Sequence, residues 1–517
     1  MYVQTVKSNL SKLLNLYNLD TFSRAYGYGD REYWAWKTKD FVNGTMQGGV
    51  HALAISVKLK IIDNEKFILN VIDSAIRAIE KIRHKNGSMI EAYPNEHSFC
   101  VTALVAFDVL SAVKHLGEKL DRYTRKTYLS IVKPLIHFIS IYNETHALIS
   151  NHLATGAAAI TLWNNLMQDN NPRDQQLLEV IYQHQSDEGW YREYEGADPG
   201  YQTLCVYYLF CIYEITKDKK LLESLNKSAG FLKYFIHPDG TIGGLYGSRN
   251  TEVYYPGGIV GFAKENNDSA LLAKFLEPKK TPQHIMPSSV DIGNFIPLIN
   301  SYAVAALYQS DLLLETKPIY QECFEKSFPD AGLFIKSTDQ YYLIINYKKG
   351  GVIKVFDKIT GMLDIEDGGI FGSLKNGKRF STQQYDNTVN FDQKDIRSRF
   401  YLTNEDYLSP FKFIILRFLS LTIFRSIKLG EWFKYCIVKY LMTGKKEING
   451  YVKRSFYLTD NKIVVSELWD KPPGCVGIDH YGQVKSIHMA SSGYWLAQAK
   501  DAPIKSRLVE FYSEEIK

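Results

Sequence analysis

The sequence has few of the features that mark several common protein classes. Its six cysteines, among 517 residues, show no CxxC spacing, and no zinc motif is present. It also contains no glycine-rich nucleotide fingerprint, no evident Ser-His-Asp grouping and no Asp-rich diphosphate motif. The 61 basic and 56 acidic side chains leave a net charge of only +5, which argues against a dedicated nucleic-acid binder. We therefore expect no metal, no cofactor and no nucleic-acid partner.

Two segments that could mark a secreted or membrane-spanning protein lack a long apolar run. The N-terminal segment has no apolar core of the length that a signal peptide needs, so we expect a cytoplasmic location. Residues 409–446 are rich in basic and aromatic side chains, but no apolar run there approaches the ~20 residues that span a bilayer. Such a stretch suits the interface of an anionic membrane, which predicts a peripheral position on the inner face. Two helices packed on the protein's own domains are the alternative.

Aromatic residues, in contrast, are abundant. They make up 14% of the chain, and tyrosine alone occurs 36 times. A hydrophobic content of 45% with only 23% charged residues excludes a disordered chain. Aromatic side chains fill cores, but rows of them also form platforms for sugar rings. Their positions along the chain must decide between the two uses.

A weak repeat of roughly 50 residues runs through the first part of the chain. Turn-like glycines lie at 44, 87, 189, 240 and 293, so the spacings are 43, 102, 51 and 53 residues. The long spacing is twice 51 and hides a sixth unit, near the polar turn at 142–145. Each unit combines an amphipathic helix, as at 67–82, with a helix that is apolar all round, as at 98–113, 152–163 and 203–213. The pattern predicts an (α/α)6 incomplete toroid over residues 1–330.

After about residue 330 the pattern changes to that of strands. Segments 332–337, 341–347 and 351–357 are rich in β-branched and aromatic residues and are divided by glycine turns, and 452–470 has the pattern of a hairpin. We expect an antiparallel β-sandwich over residues 331–517, with a basic amphipathic helical insertion at 409–446. The predicted fold class is therefore α+β and multidomain, with the toroid first and the sandwich second.

Polar and aromatic residues gather in the turns before the inner helices, which should converge at one end of the toroid. These candidates are Arg31, Trp34, Trp36, Tyr93, His97, Asn151, His152, Trp190, Tyr191, Tyr194, Tyr201, Arg249, Asn250 and Tyr254. Asn, Arg and protonated His can neutralise a carboxylate while negative charge builds on the carbon beside it. A neutral His or an ionised Tyr can take that carbon's proton, and a Tyr hydroxyl can return one to a leaving oxygen. Elimination defines a lyase, and reprotonation from the opposite face defines a C5-epimerase.

In these residues the chain resembles the heparinase II/III-like polysaccharide lyases and their uronate-epimerase relatives. Asn151 and His152 lead an apolar small-residue helix, and the stretch DEGWYREYEGADPGYQTL contains Tyr201, which opens another. The resemblance implies that Asn151 neutralises the substrate carboxylate, that His152 and Tyr201 act as base and acid, and that Arg249 and the loop aromatics bind the sugar. One departure is that residues 361–387 lack the family's His-Gly-His-type motif, and His97 is a candidate replacement.

The implied substrate is an acidic, uronic-acid-containing polysaccharide or a lipid-linked glycan, handled in surface-glycan synthesis or modification. Two other functions remain open at this point. One is an (α/α)6 glycoside hydrolase that uses Glu91 or Asp198. The other is a catalytically inactive, membrane-associated glycan-binding protein.

Overall fold

The computed structural model describes residues 1–144, 148–277, 285–309, 317–403, 409–437, 444–480 and 506–516. Its helical part begins with an outer helix and then alternates inner and outer helices. These are α1 (Tyr2–Leu14), α2 (Val50–Lys58), α3 (Glu65–Ile82), α4 (Phe99–Leu116), α5 (Arg122–Ile141), α6 (Ser150–Met167), α7 (Arg173–Gln183), α8 (Pro199–Thr216), α9 (Lys219–Leu232), α10 (Pro256–Phe262), α11 (Asn267–Phe275) and α12 (Ile292–Tyr308).

The even-numbered helices form the inner ring of an α/α toroid. Each packs on the next, from α2 to α12, and α12 packs back on α2. Asn300 of α12 joins the ends of the ring, since its Nδ2 donates to the carbonyl of Gly48 at 3.0 Å and its Oδ1 accepts from the backbone of Ala52 at 3.1 Å. The prediction of six helical pairs is confirmed, and the unit without a turn glycine is that of α6. Thr145 of its predicted turn lies outside the described residues.

One inner helix has the composition of a membrane span. Among the described residues, Phe99–Lys119 alone is long and apolar enough to cross a bilayer. Its neighbours in the ring bury 83% of the apolar window, so this helix belongs to the core of the toroid.

The last helix of the toroid ends at Tyr308 and the first strand begins at Phe324, while the domain boundary at 330 stays a prediction. The first sheet has the order β1 (Phe324–Phe328), β2 (Leu333–Ser337), β3 (Tyr341–Asn346), β4 (Val352–Asp357) and β5 (Met362–Asp367), all antiparallel.

A second sheet completes the β-domain. It contains β6 (Ile370–Leu374), β7 (Arg379–Ser381), β8 (Asp395–Leu402), β9 (Glu447–Leu458), β10 (Ile463–Asp470), β11 (Cys475–His480) and β12 (Val509–Glu515), in the order β11-β6-β7-β8-β9-β10-β12. The predicted hairpin at 452–470 is confirmed as β9 and β10. The parallel pairing of β10 with β12 departs from the antiparallel expectation.

The first sheet lies between the toroid and the second sheet. In β3, Tyr342 and Ile344 belong to the apolar core of the toroid, whereas Leu343 and Ile345 share a core with Val465 of the second sheet. Because successive side chains of a strand point to opposite faces, both faces of β3 are buried. The sandwich is thereby fixed to the toroid through an apolar layer.

The basic insertion forms α13 (Pro410–Leu421), a short helical turn (Ile423–Arg425) and α14 (Ile427–Ile437), while residues 438–443 lie outside the described part. One side of it packs on the toroid. Phe424 is buried against Tyr93, with ring centroids 5.3 Å apart, and Lys434 pairs with Glu96 at 3.0 Å. The insertion therefore lies over the turn that precedes α4.

Candidate active site

The first turn of α8 holds Tyr201 in a fixed position. Asp198 caps this helix, and its Oδ1 accepts a hydrogen bond from the backbone N–H of Tyr201 at 3.0 Å. Its Oδ2 accepts from the backbone N–H of Arg249 at 2.8 Å. Burial raises the pKa of Asp198, although these backbone donors oppose the shift. Asp198 thus fixes Tyr201 and Arg249 relative to each other.

A buried glutamate joins three of the turns. Glu193 is 3% exposed, and its Oε2 accepts from Asn151 Nδ2 at 2.9 Å while its Oε1 accepts from Arg249 Nη1 at 2.8 Å. A bridge between Ile149 and Glu193 brings the two turns together, and Ser248 Oγ donates to the Glu193 carbonyl at 2.9 Å. Burial raises the pKa of Glu193 to about 7, although the Arg249 guanidinium opposes this effect.

The guanidinium of Arg249 also lies over two tyrosine rings. It is 4.2 Å from the ring centroid of Tyr201 and 5.0 Å from that of Tyr194. Tyr194 has the left-handed backbone angle φ 56°, and burial raises its pKa to about 12 against the opposing charge of Arg249. A cation this close to a phenol stabilises negative charge on it. Asn151, Tyr201 and Arg249, predicted from separate turns, therefore belong to one contact network.

His152 lies beside this network at the start of α6. Its Nδ1 contacts Glu144 Oε2 at 2.8 Å, and the side chains are 17% and 5% exposed, respectively. In the neutral tautomer that donates Nδ1–H to Glu144, Nε2 is the nitrogen able to take a proton. The pair has the arrangement of a general base oriented by a carboxylate.

A lysine from the β-domain supports the loop of Arg249. Lys349 is fully buried, and its Nζ donates to the carbonyls of Leu245 at 2.9 Å and Gly247 at 2.6 Å, and to Asn250 Oδ1. Burial lowers the pKa of Lys349 to about 7, although the charge of Asp198 opposes the shift. The predicted binding residue Asn250 is thus engaged in holding the loop.

Several predicted sugar-binding aromatics are buried in the described structure. Trp190 Nε1 donates to Glu188 Oε2 at 2.9 Å, and the hydroxyl of Tyr191 bonds Ser224 Oγ at 2.7 Å. Tyr254 is 6% exposed and belongs to the apolar core. Their role in binding sugar stays a prediction.

The other candidates lie in the first two units. Arg31 stacks over Trp34, whose Nε1 donates to the carbonyl of Leu16 at 2.8 Å, while Trp36 is 68% exposed. Tyr93 and His97 line a small cavity beneath the insertion. The Nδ1 of His97 lies 2.6 Å from Ser88 Oγ, and burial lowers its pKa to about 4.

Three residues of the site are not among the candidates predicted from the sequence. Glu193 follows Arg192 in the chain, yet it pairs with Arg249, which lies 56 residues away. No motif in the sequence marks Glu144 or Lys349 as a site residue, because the tertiary fold determines their partners. Within the described residues, no group of three or more His, Cys, Asp or Glu side chains could hold a metal ion.

No protein-family model matches the sequence, and a search of curated proteins found no match either. Similar solved structures include a Paenibacillus xanthan lyase, with a TM-score of 0.46 and 9% identity over 77% of this chain and 44% of that chain. The chondroitin AC lyase of Streptomyces coelicolor A3, in complex with chondroitin sulphate, has a TM-score of 0.47 and 8% identity over 78% of this chain and 64% of that chain. The cellobiose 2-epimerase of Bacillus thermoamylovorans B4167 has a TM-score of 0.44 and 10% identity over 59% of this chain and 99% of that chain.

The chain spans less than two thirds of the length of either lyase. At identities this low the likeness concerns the fold alone.

Proposed function

We propose that the chain is an enzyme that acts on a uronic-acid-containing polysaccharide by removing the C5 proton. The observation that carries the proposal is the network in which Glu193 holds Asn151 and Arg249, with Arg249 stacked on Tyr201. His152 directly follows Asn151 in the chain, and its side chain contacts Glu144 at 2.8 Å. These are the side chains that such a reaction needs: carboxylate-neutralising donors, a base and a phenolic acid.

Each group has a definite part in the proposed reaction. Asn151 and Arg249 supply N–H donors and positive charge that stabilise the enolate-like form of the substrate carboxylate. His152 Nε2 takes the C5 proton, and Glu144 stabilises the imidazolium that forms. In elimination, the C5–H electron pair forms the C4–C5 double bond, the C4–O bond breaks, and the Tyr201 hydroxyl protonates the leaving oxygen. In epimerisation, a proton returns to the opposite face of C5 and no bond to C4 breaks.

The proposed substrate is an acidic polysaccharide or a lipid-linked glycan, met by the protein at the inner face of the membrane. A role in the synthesis or modification of a surface glycan follows from that location. A hydrolase is the less favoured reaction, because both oxygens of Asp198 accept backbone hydrogen bonds and Glu91 Oε2 accepts one from Ser98 Oγ at 3.0 Å.

The test is a panel of uronate polysaccharides incubated with purified protein in D2O. We expect either the ultraviolet absorbance of an unsaturated uronate or solvent deuterium at C5 of the recovered polymer. Release of reducing ends without unsaturation would instead identify a hydrolase. If neither elimination nor exchange occurs across a broad panel while glycans bind, the protein is a binding module and the proposal is wrong.

A further inference from the structure

The outer side of the insertion is the most apolar exposed surface among the described residues. The described residues include 27 exposed large hydrophobic side chains, and ten of these lie between Phe411 and Tyr435. Phe411, Ile414, Phe418 and Leu421 are 51–72% exposed, and their spacing puts them on one face of α13. Contiguous apolar surface of this kind is rare on a protein that meets only water.

The other side of the insertion explains why this face points outward. Ser420 and Phe424 are buried against the toroid, and the carbonyl of Ser420 accepts from Asn95 Nδ2 at 2.9 Å. Arg417 pairs with Asp40 at 2.9 Å, and Lys434 pairs with Glu96 at 3.0 Å. These contacts hold the helices over the toroid, so that the second face cannot also be buried by the same domain.

Charge accompanies the apolar face. Residues 409–437 contain five basic side chains and one acidic side chain. Lys412, Arg425 and Lys428 are exposed next to the apolar residues. The twelve residues of α13 extend about 18 Å, which is too short for a hydrocarbon core of about 30 Å. Apolar and basic residues on a short helix suit the interface of an anionic bilayer, where the rings enter the headgroup region and the cations meet lipid phosphates.

We infer that the outer face of α13, the following turn and α14 is a docking surface for an anionic lipid bilayer. The inner face of the same helices covers the turns of the first two toroid units. Docking therefore holds the end of the toroid at which these turns lie close to the membrane. The inference deepens the membrane location in the proposed function. Its experiment measures binding and not turnover, so the two can fail separately.

The test is flotation of the full chain with vesicles of phosphatidylcholine alone or mixed with phosphatidylglycerol. We expect the protein to float with the anionic vesicles and to stay behind with the neutral ones. The triple variant Phe411→Ser, Ile414→Ser, Phe418→Ser should reduce vesicle affinity at least about tenfold. Neutralising Lys412, Arg425 and Lys428 with glutamine should cost about fivefold for each charge, and added salt should mimic this loss.

The matched control removes three exposed apolar side chains elsewhere: Phe22→Ser, Tyr123→Ser and Ile359→Ser, which are 97%, 73% and 65% exposed. This variant should float like the wild type, and circular dichroism verifies the fold of each variant. An independent readout is quenching of Trp432 fluorescence by brominated anionic lipid, with Trp432→Phe as its blank. The inference is overturned by absence of flotation, by equal losses in the α13 variant and the control variant, or by self-association that the α13 variant alone abolishes.

Discussion

Replacing Glu193 by glutamine tests the buried network at its centre. The wild-type carboxylate accepts from Asn151 and Arg249 at 2.9 and 2.8 Å. A glutamine amide has only one oxygen, so one of the two contacts becomes donor against donor unless Asn151 turns its own amide. The ion pair with Arg249 is also lost, because the guanidinium then faces an uncharged amide. Such a loss is worth about 2–3 kcal/mol, which corresponds to a fall in kcat/KM of about 30- to 150-fold.

The pH profile sharpens this prediction. With two N–H donors, the network is built for the ionised carboxylate, and the pKa of Glu193 is raised from 4.5 to about 7 by burial. Activity should therefore fall as the pH decreases through about 7, and Glu193→Gln should remove the contribution of Glu193 to that fall and leave only the protonation of the base His152. The assay is kcat/KM against pH on the polysaccharide found in the panel.

The control for this prediction is Glu195→Gln. Glu195 is two residues further along the same loop, is about one-third exposed, and pairs with Lys445 at 2.9 Å. Because an exposed pair contributes at most about 1 kcal/mol, this variant should keep most of the activity. The reasoning is refuted if Glu193→Gln stays within about threefold of the wild type with the same pH profile.

Two further predictions concern the supports of the site. Lys349→Met removes the donor that holds the loop of Arg249. This variant should lower the free energy of unfolding by about 3 kcal/mol and should also lower kcat/KM. Urea unfolding and limited proteolysis of the loop measure the loss of stability. A Lys349→Met variant as stable as the wild type would contradict this prediction. His152→Gln should lower kcat about 10²- to 10⁴-fold with little change in KM, because a base acts mainly in the transition state. A pure KM effect would show that His152 only binds substrate.

The helices and their starting residues could be predicted from the sequence. Helices that are apolar all round, such as α4 and α8, can only lie in a ring of neighbours, so their repeat predicts a toroid. Tyr201 could be placed because Asp-Pro-Gly is a strong helix start. The contacts of Glu193 could not be predicted in this way. Arg192 is its neighbour in sequence, but a bridge between two distant turns aims its carboxylate at Asn151 and Arg249.

The same limit applies to the test that the sequence suggests for a hydrolase. From sequence, Asp198→Asn separates a hydrolase from a lyase, because only the hydrolase uses that carboxylate. In the structure Asp198 fixes the backbone of both Tyr201 and Arg249, so its loss impairs either reaction. The sequence likewise could not predict which face of α13 is exposed, because amphipathic spacing does not say which side packs on the toroid.

The central claim, proton removal at C5, is tested most directly by exchange in D2O with the wild type, Tyr201→Phe and Tyr308→Phe. Tyr308 is the matched control, since its hydroxyl donates to Glu214 at 2.9 Å away from the network. We predict deuterium at C5 or an unsaturated product from the wild type and from Tyr308→Phe, and a loss of turnover of at least about 100-fold in Tyr201→Phe. Turnover of the polysaccharide with no C5–H cleavage, or with Tyr201→Phe as active as the control, contradicts the claim.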